Sequence, residues 1–300
     1  DRRKDVNFRT LASVKKLLKK FEDAEIHIHM APGNHDNYFK NVNDINSVDL
    51  LFSDFKNITV YNKPTELKLF HETVLLVPWI STDQEEEFIT TIKKSNADLC
   101  IGHFEFSGFM FMQGVTAETG QNTDFVKHFR TVLSGHYHSK SVRDNVTYLG
   151  AQYDLTWADY GEKKYFHVYD TATSKVEPVE YKEKIFFKIK FDEKLSSKKQ
   201  VDAINYAQFT NKIIKVLVEY KNNQTLFDYF LELLYQANPH DVTIIDERNE
   251  FTQSEKRGII TNSTNDIIKS FVDDIILEDI DKTKLLNIVN QIYAEVEADD

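Results

Sequence analysis

The amino-acid sequence predicts a layered α/β fold, with central β-sheets flanked by helices, then a small α+β unit and a C-terminal pair of helices. Three observations carry this. Short apolar runs alternate with stretches of helical 3–4 spacing from the N-terminus to about residue 180, as strands alternating with helices require. Three of those apolar runs end in Gly and His: at Pro32-Gly33-Asn34-His35-Asp36, at Gly102-His103 and at Gly135-His136-Tyr137-His138. Near residue 183 the texture changes, and Ile185, Phe187, Ile189 and Phe191 begin to alternate with polar residues.

Residues 5–22 form an amphipathic helix, with Leu11, Val14, Leu18 and Phe21 on one face and lysines opposite. The alternating run Glu25–Met30 is a strand that stops at the turn Pro32–Asp36, where Gly33 removes a Cβ clash. Asn46 to Phe55 reads as a second helix. Ile58–Val60, Leu67–Phe70 and Val74–Val77 read as strands, the last apolar throughout, as suits burial on both faces. Glu85–Lys94 is a helix leading into the strand Leu99–Ile101 and its Gly-His end. Residues 104–122, rich in Phe and Met, read as a long connection whose aromatics either pack beneath the site or contact substrate or a second copy of the chain. Strands at 131–133, 146–149, 165–169 and 176–181 complete this part. In the small unit, Ile214–Val218 and Val242–Ile245 are strands and Leu226–Leu234 a helix. The expected domains are therefore 1–182, 183–250, a polar linker at 251–263, and two amphipathic helices over 264–300.

Composition sets bounds. Hydrophobic residues make up 41% of the 300, enough for a proper core. No apolar run of about 18 residues occurs, so no membrane span is expected. The single cysteine, Cys100, lies in an apolar strand and fits a reducing cytoplasm. The net charge of −11 is unevenly spread: residues 264–300 carry ten acidic and three basic side chains, residues 1–20 eight basic and two acidic. A local basic patch bears on phosphate contact more than the total does, although Lys15, Lys16, Lys19 and Lys20 read equally as a solvated helix face. No Gly-rich phosphate-cradling loop is present, which excludes an NTPase.

Chemistry points to the three strand ends, since ligands of open α/β sheets lie outside the carboxyl ends of strands. Asn34, His103, His136 and His138 make a nitrogen-and-oxygen ligand set for a divalent transition metal, and the amide oxygen shifts the preference towards Mn²⁺. His27 and His29 precede the turn and read as structural, and Trp79 reads as packing.

The order Gly-Asn-His-Asp, Gly-His, Gly-His-x-His resembles the calcineurin-like metallophosphoesterase superfamily. Val77-Pro78-Trp79, Gly102–Phe109 and Val146–Gly150 narrow the resemblance to SbcD-type DNA repair nucleases, and to their bacteriophage recombination members in particular. The resemblance implies a metallophosphoesterase fold with a cap domain over residues 183–250. It implies two divalent ions, Mn²⁺ or else Mg²⁺, with Asn34, His103 and His136 on one and His138 on the other. His35 would be the general acid, Asp1 would orient it, and Asp36 would assist. The superfamily's Asp-x-His and Gly-Asp motifs have no counterpart here; the chain begins at Asp1 without Met and reads as an N-terminally truncated fragment, expected to be inactive as it stands. The implied activity is 3′-to-5′ exonuclease on duplex DNA and endonuclease on single strands, in double-strand-break repair or recombination. The implied partners are DNA, a second copy of the chain, and an SbcC-like coiled-coil ATPase docked on residues 264–300. Two alternatives stay open: a non-catalytic scaffold for that ATPase, and a phosphoesterase with a non-DNA substrate.

Overall fold

The structure is a computed structural model that describes residues 5–39, 41–246, 272 and 282–299, with backbone alone for 290 and 292–299. It is a mixed α/β chain in which packing separates two units. The larger holds the described residues through Gln152, then Glu162–Tyr181 and the helix at the end of the chain; the smaller holds Tyr153–Gly161 and the described residues from Lys182 to Val272. Among the described residues no helix is long and apolar enough to cross a membrane.

In the larger unit, helix α1 (Phe8–Asp23) starts where Asn7 Oδ1 accepts the N–H groups of Arg9 and Thr10 at 2.9 and 3.2 Å, satisfying donors that a helix end leaves open. Strand β1 (Ile28–Met30), helix α2 (Ser47–Phe52) and strand β2 (Ile58–Val60) follow, with β1 and β2 parallel. Next come β3 (Thr65–Leu69), β4 (Glu72–Val77), α3 (Glu85–Lys94), β5 (Leu99–His103), a hairpin of β6 (Met110–Met112) and β7 (Val115–Thr116), then β8 (Thr131–Gly135), β9 (Ser141–Arg143) and β10 (Val146–Tyr148). The main sheet runs β3-β4-β5-β8-β10-β9. Its four central strands are parallel, and β3 and β9 run antiparallel at the edges. Register sets Val77 beside Gly102 and His103 beside Gly135, so β4, β5 and β8 finish along one border of the sheet. Strands β11 (Lys164–Asp170) and β12 (Lys175–Tyr181) form a separate antiparallel ribbon.

Val74, Leu76, Leu99 and Leu133 make one buried apolar cluster in this unit. A second is aromatic. Phe104 stacks on Phe106 at 5.0 Å, and Tyr148 lies 4.9 Å from Phe109 and 4.4 Å from Tyr137. The Tyr148 hydroxyl donates to the Phe104 carbonyl and accepts the Phe106 N–H, both at 2.8 Å. The connection over 104–122 is therefore a packed mass containing a hairpin that alternation does not reveal, because Phe109–Met112 are apolar without a period of two.

The smaller unit is a three-stranded parallel sheet, β13 (Phe186–Asp192), β14 (Ile213–Tyr220) and β15 (Asp241–Asp246). Helices α4 (Lys198–Asp202) and α5 (Gln224–Gln236) lie in its crossovers. Ile214, Val216 and Val218 are fully buried in one cluster with Phe227, Phe230 and Leu234. Tyr153–Gly161, which the sequence texture places within residues 1–182, belongs to this unit: Trp157 lies 4.7 Å from the Phe186 ring and Asp154 Oδ2 accepts the Ile185 N–H at 3.5 Å.

The first of the two expected tail helices lies outside the described residues, apart from Val272, which is buried. The second is α6 (Lys282–Asp299). It packs with the larger unit, where Asn287 Nδ2 donates to Glu118 Oε1 at 2.9 Å and Gln291 Oε1 accepts the Thr119 hydroxyl at 3.0 Å.

Candidate active site

The turn after β1 is built by its own polar groups. Asp36 Oδ2 accepts the Gly33 N–H at 2.7 Å, Asn37 Nδ2 donates to the Gly33 carbonyl at 3.3 Å, and Ser47 donates its backbone N–H to the Asp36 carbonyl at 2.8 Å. In this arrangement the Asp36 carboxylate holds the turn that presents Asn34 and His35. The turn is tied to the main sheet where Trp79, just past β4, donates its N–H to the Pro32 carbonyl at 2.8 Å.

His103, the last residue of β5, meets that turn. Its Nε2 lies 2.9 Å from Asn34 Oδ1. A Cβ on Gly33 would come within 2.8 Å of His103 Cε1, and one on Gly135 within 3.0 Å of Nδ1, so the imidazole sits in a slot that only glycine leaves open. The His136 ring is 5.2 Å from His103, and Trp79 lies 5.3 Å from His136 and 6.0 Å from His103. Trp79 is thus a packing lid on two imidazoles. His136 has φ +90°, in the left-handed region that a non-glycine residue occupies at a cost of about 1–3 kcal/mol.

Burial, joined by the charges of His35 and His138 nearby, holds the His103 imidazole down to about 3. The ring is neutral at working pH and its nitrogen lone pair is not consumed by a second proton. The strand ends therefore bring Asn34, His35, His103, His136 and His138 into one neighbourhood, while Asp36 faces backbone and Asp1 lies outside the described residues.

The donor chemistry fits a divalent transition ion. An amide oxygen and an imidazole nitrogen converge at 2.9 Å, a separation that two ligands of one cation can keep, and a second imidazole lies alongside. Among the described residues no three His, Cys, Asp or Glu side chains group closely enough to form a metal site by themselves. His27 and His29 stand apart from the candidate site, bonded to Thr59 on β2 at 3.1 Å and to Tyr61 just past β2 at 2.8 Å.

A cleft of about 490 Å³ opens beside His103, lined among others by Trp79, Glu85, Glu105, Gln121 and Phe125. Gln121 bridges its walls, donating its N–H to the Glu105 carbonyl at 2.7 Å and its amide to Glu85 Oε1 at 2.8 Å. Sequence reading misses Glu85 and Gln121 because each looks like an ordinary surface residue; only the return of the 104–122 connection to α3 brings them together.

No protein-family model matches the chain. A curated relative does: exonuclease subunit 1 of Enterobacteria phage T4 is 31% identical over 297 residues, which span 98% of this chain and 84% of the relative. Identity at that level along nearly the whole length places the chain in the family of phage T4 exonuclease subunit 1.

Proposed function

We propose that this chain is the nuclease subunit of a DNA repair or recombination complex, a metal-dependent phosphodiesterase acting on DNA. The observation that carries it is the convergence of Asn34 Oδ1 and His103 Nε2 at 2.9 Å, from two strand ends that the sequence separates by 69 residues. The name of the relative, an exonuclease and a subunit, supports nuclease activity exercised within a complex.

In this reading Asn34, His103 and His136 hold one divalent ion, Mn²⁺ in preference to Mg²⁺, and His138 contributes to a second. Bound there, such ions would activate water as the attacking group and offset charge developing on the phosphate. The protein's own groups do the rest. His103, kept neutral by burial, presents a lone pair at all working pH values. His35 donates a proton to the leaving oxygen, the step that lets a sugar hydroxyl depart. Asp1 orients His35, and Asp36 serves it indirectly by fixing the turn. Trp79 keeps solvent off the two imidazoles. The exposed face of α1, with Lys15, Lys16 and Lys20, offers phosphate contacts away from the reacting centre.

The finer assignment is a 3′-to-5′ exonuclease on duplex ends and an endonuclease on single strands. It works as a homodimer with an SbcC-like coiled-coil ATPase held through residues 264–300. The test is cleavage of end-labelled DNA by the full-length protein across a Mn²⁺ titration. His35→Ala should bind Mn²⁺ with unchanged affinity by calorimetry yet lose roughly 10²- to 10⁴-fold in turnover, the usual worth of a positioned acid. Loss of Mn²⁺ binding in that variant would make His35 a ligand and overturn the role assigned to it. A protein that binds the ATPase but never cuts DNA would be a scaffold instead.

A further inference from the structure

The turn that carries His138 is held by an ion pair that neither the sequence motifs nor the proposed chemistry uses. Lys164, the first residue of β11, is buried, with 2% of its side chain exposed, and its partner Glu162 has 12% exposed. Lys164 Nζ donates to Glu162 Oε2 at 2.7 Å and to the His138 carbonyl at 3.0 Å. The other Glu162 oxygen accepts the Ser139 hydroxyl at 2.6 Å. Two consecutive residues of the turn, His138 through its carbonyl and Ser139 through its side chain, are thus tied to one buried pair.

The opposite side of the turn is gripped by backbone. Ala151 donates its N–H to the same His138 carbonyl at 3.0 Å, and Gly150, with φ +74°, lies so close that a Cβ would meet that oxygen and the Lys140 nitrogen, each at 3.0 Å. Stability does not explain such a pair. Desolvating an ammonium and a carboxylate is costly, and well-packed apolar residues commonly serve a fold equally well. Charge-assisted hydrogen bonds do supply short, directional restraint. Here that restraint falls on the peptide following His138, next to a residue, His136, held in a strained left-handed conformation.

We propose that the Lys164–Glu162 pair is a positioning element for His138. It fixes the backbone from which the imidazole projects and so sets the affinity of the cation site. The inference rests on the nuclease reading above. It is tested on the full-length protein with Lys164→Met combined with Glu162→Met, because Lys164→Met alone strands a buried carboxylate and can fail to fold. Mn²⁺ affinity is measured by calorimetry, and the thermal midpoint is measured on the metal-free protein. The double variant should melt close to wild type and bind Mn²⁺ roughly 10- to 100-fold more weakly, as loss of a group that orients a ligand does. Wild-type Mn²⁺ affinity in a folded double variant would overturn the inference while leaving the nuclease reading intact. A double variant that does not fold would make the pair a structural requirement and overturn it equally. Failure of the wild-type protein itself to bind Mn²⁺ would bring down the nuclease reading, and the inference with it.

Discussion

At the scale of single residues, the site is governed by what glycine leaves out. Gly33 is the clearest case: it serves less to bend its own turn than to let the His103 ring lie against it, 2.8 Å from where a Cβ would stand. Gly33→Ala must push either the turn or the ring. Overpacking of this kind costs about 1–3 kcal/mol, which thermal denaturation reads directly, and calorimetry should show weaker Mn²⁺ binding in the same variant. The sequence makes the glycine visible but not its reason. A Gly before Asn-His-Asp announces a turn, whereas a ring arriving from residue 103 is a tertiary fact. Lys164 is the converse. Nothing about a lysine opening a strand of alternating residues marks it as buried; the Glu162 carboxylate and the His138 carbonyl that it meets turn a surface residue type into an interior one.

Among elements, β4 is anchored at its start as firmly as its end is tied to the site. Glu72 is buried and accepts Arg130 Nη2 at 2.6 Å and the hydroxyls of Tyr169 and Ser174, which joins β4 to the segment before β8 and to the β11–β12 ribbon. Burial pushes the Glu72 carboxyl up, but the bonds from Ser174, Tyr169 and Arg130 outweigh it and hold the group below its ordinary 4.5. The unfolded chain therefore takes up this proton at higher pH than the folded one. The stabilisation is complete above the ordinary value and is lost as pH falls through the lowered folded value. Glu72→Gln should cost about 1–3 kcal/mol at pH 7 and flatten that part of the acid limb, seen by comparing urea unfolding at pH 7 and pH 4. Most elements are legible in the sequence: α3 falls at Glu85–Lys94 as expected, and β4, β5, β8 and β14 lie within two residues of the apolar runs that announce them. The β6–β7 hairpin, β9 and α4 are not, being too short or too uniformly apolar to show a period.

For the whole molecule, the placement of α6 matters most. Its polar side chains engage Glu118 and Thr119, directly ahead of the cleft residues Gly120–Asn122, so the end of the chain is continuous with the wall of the candidate site. The partner-binding reading then falls chiefly on the apolar residues of the preceding segment other than the buried Val272, namely Ile267, Ile268, Phe271, Ile275 and Ile276. Phe271→Asp combined with Ile275→Asp should abolish co-purification with the ATPase, read by pull-down, while Mn²⁺-dependent cleavage of single strands persists. Retained complex formation would assign those residues to the chain's own core.

By itself, the sequence determines the alternation of strands and helices, the change of texture near residue 183, and the three Gly-His strand ends that carry the candidate site residues. These are local matters: hydrophobic period sets the element, and a glycine sets where it stops. Only the tertiary structure decides that β4, β5 and β8 align so that the ends meet, because register is a property of paired strands. It also decides that His103 is neutral, since its proton affinity depends on burial and on histidines 35 residues and more away in the chain. And it decides that a lysine from β11 holds the His138 turn, for an ion pair between residues 162 and 164 reaches back to residue 138 only once the chain has folded over on itself.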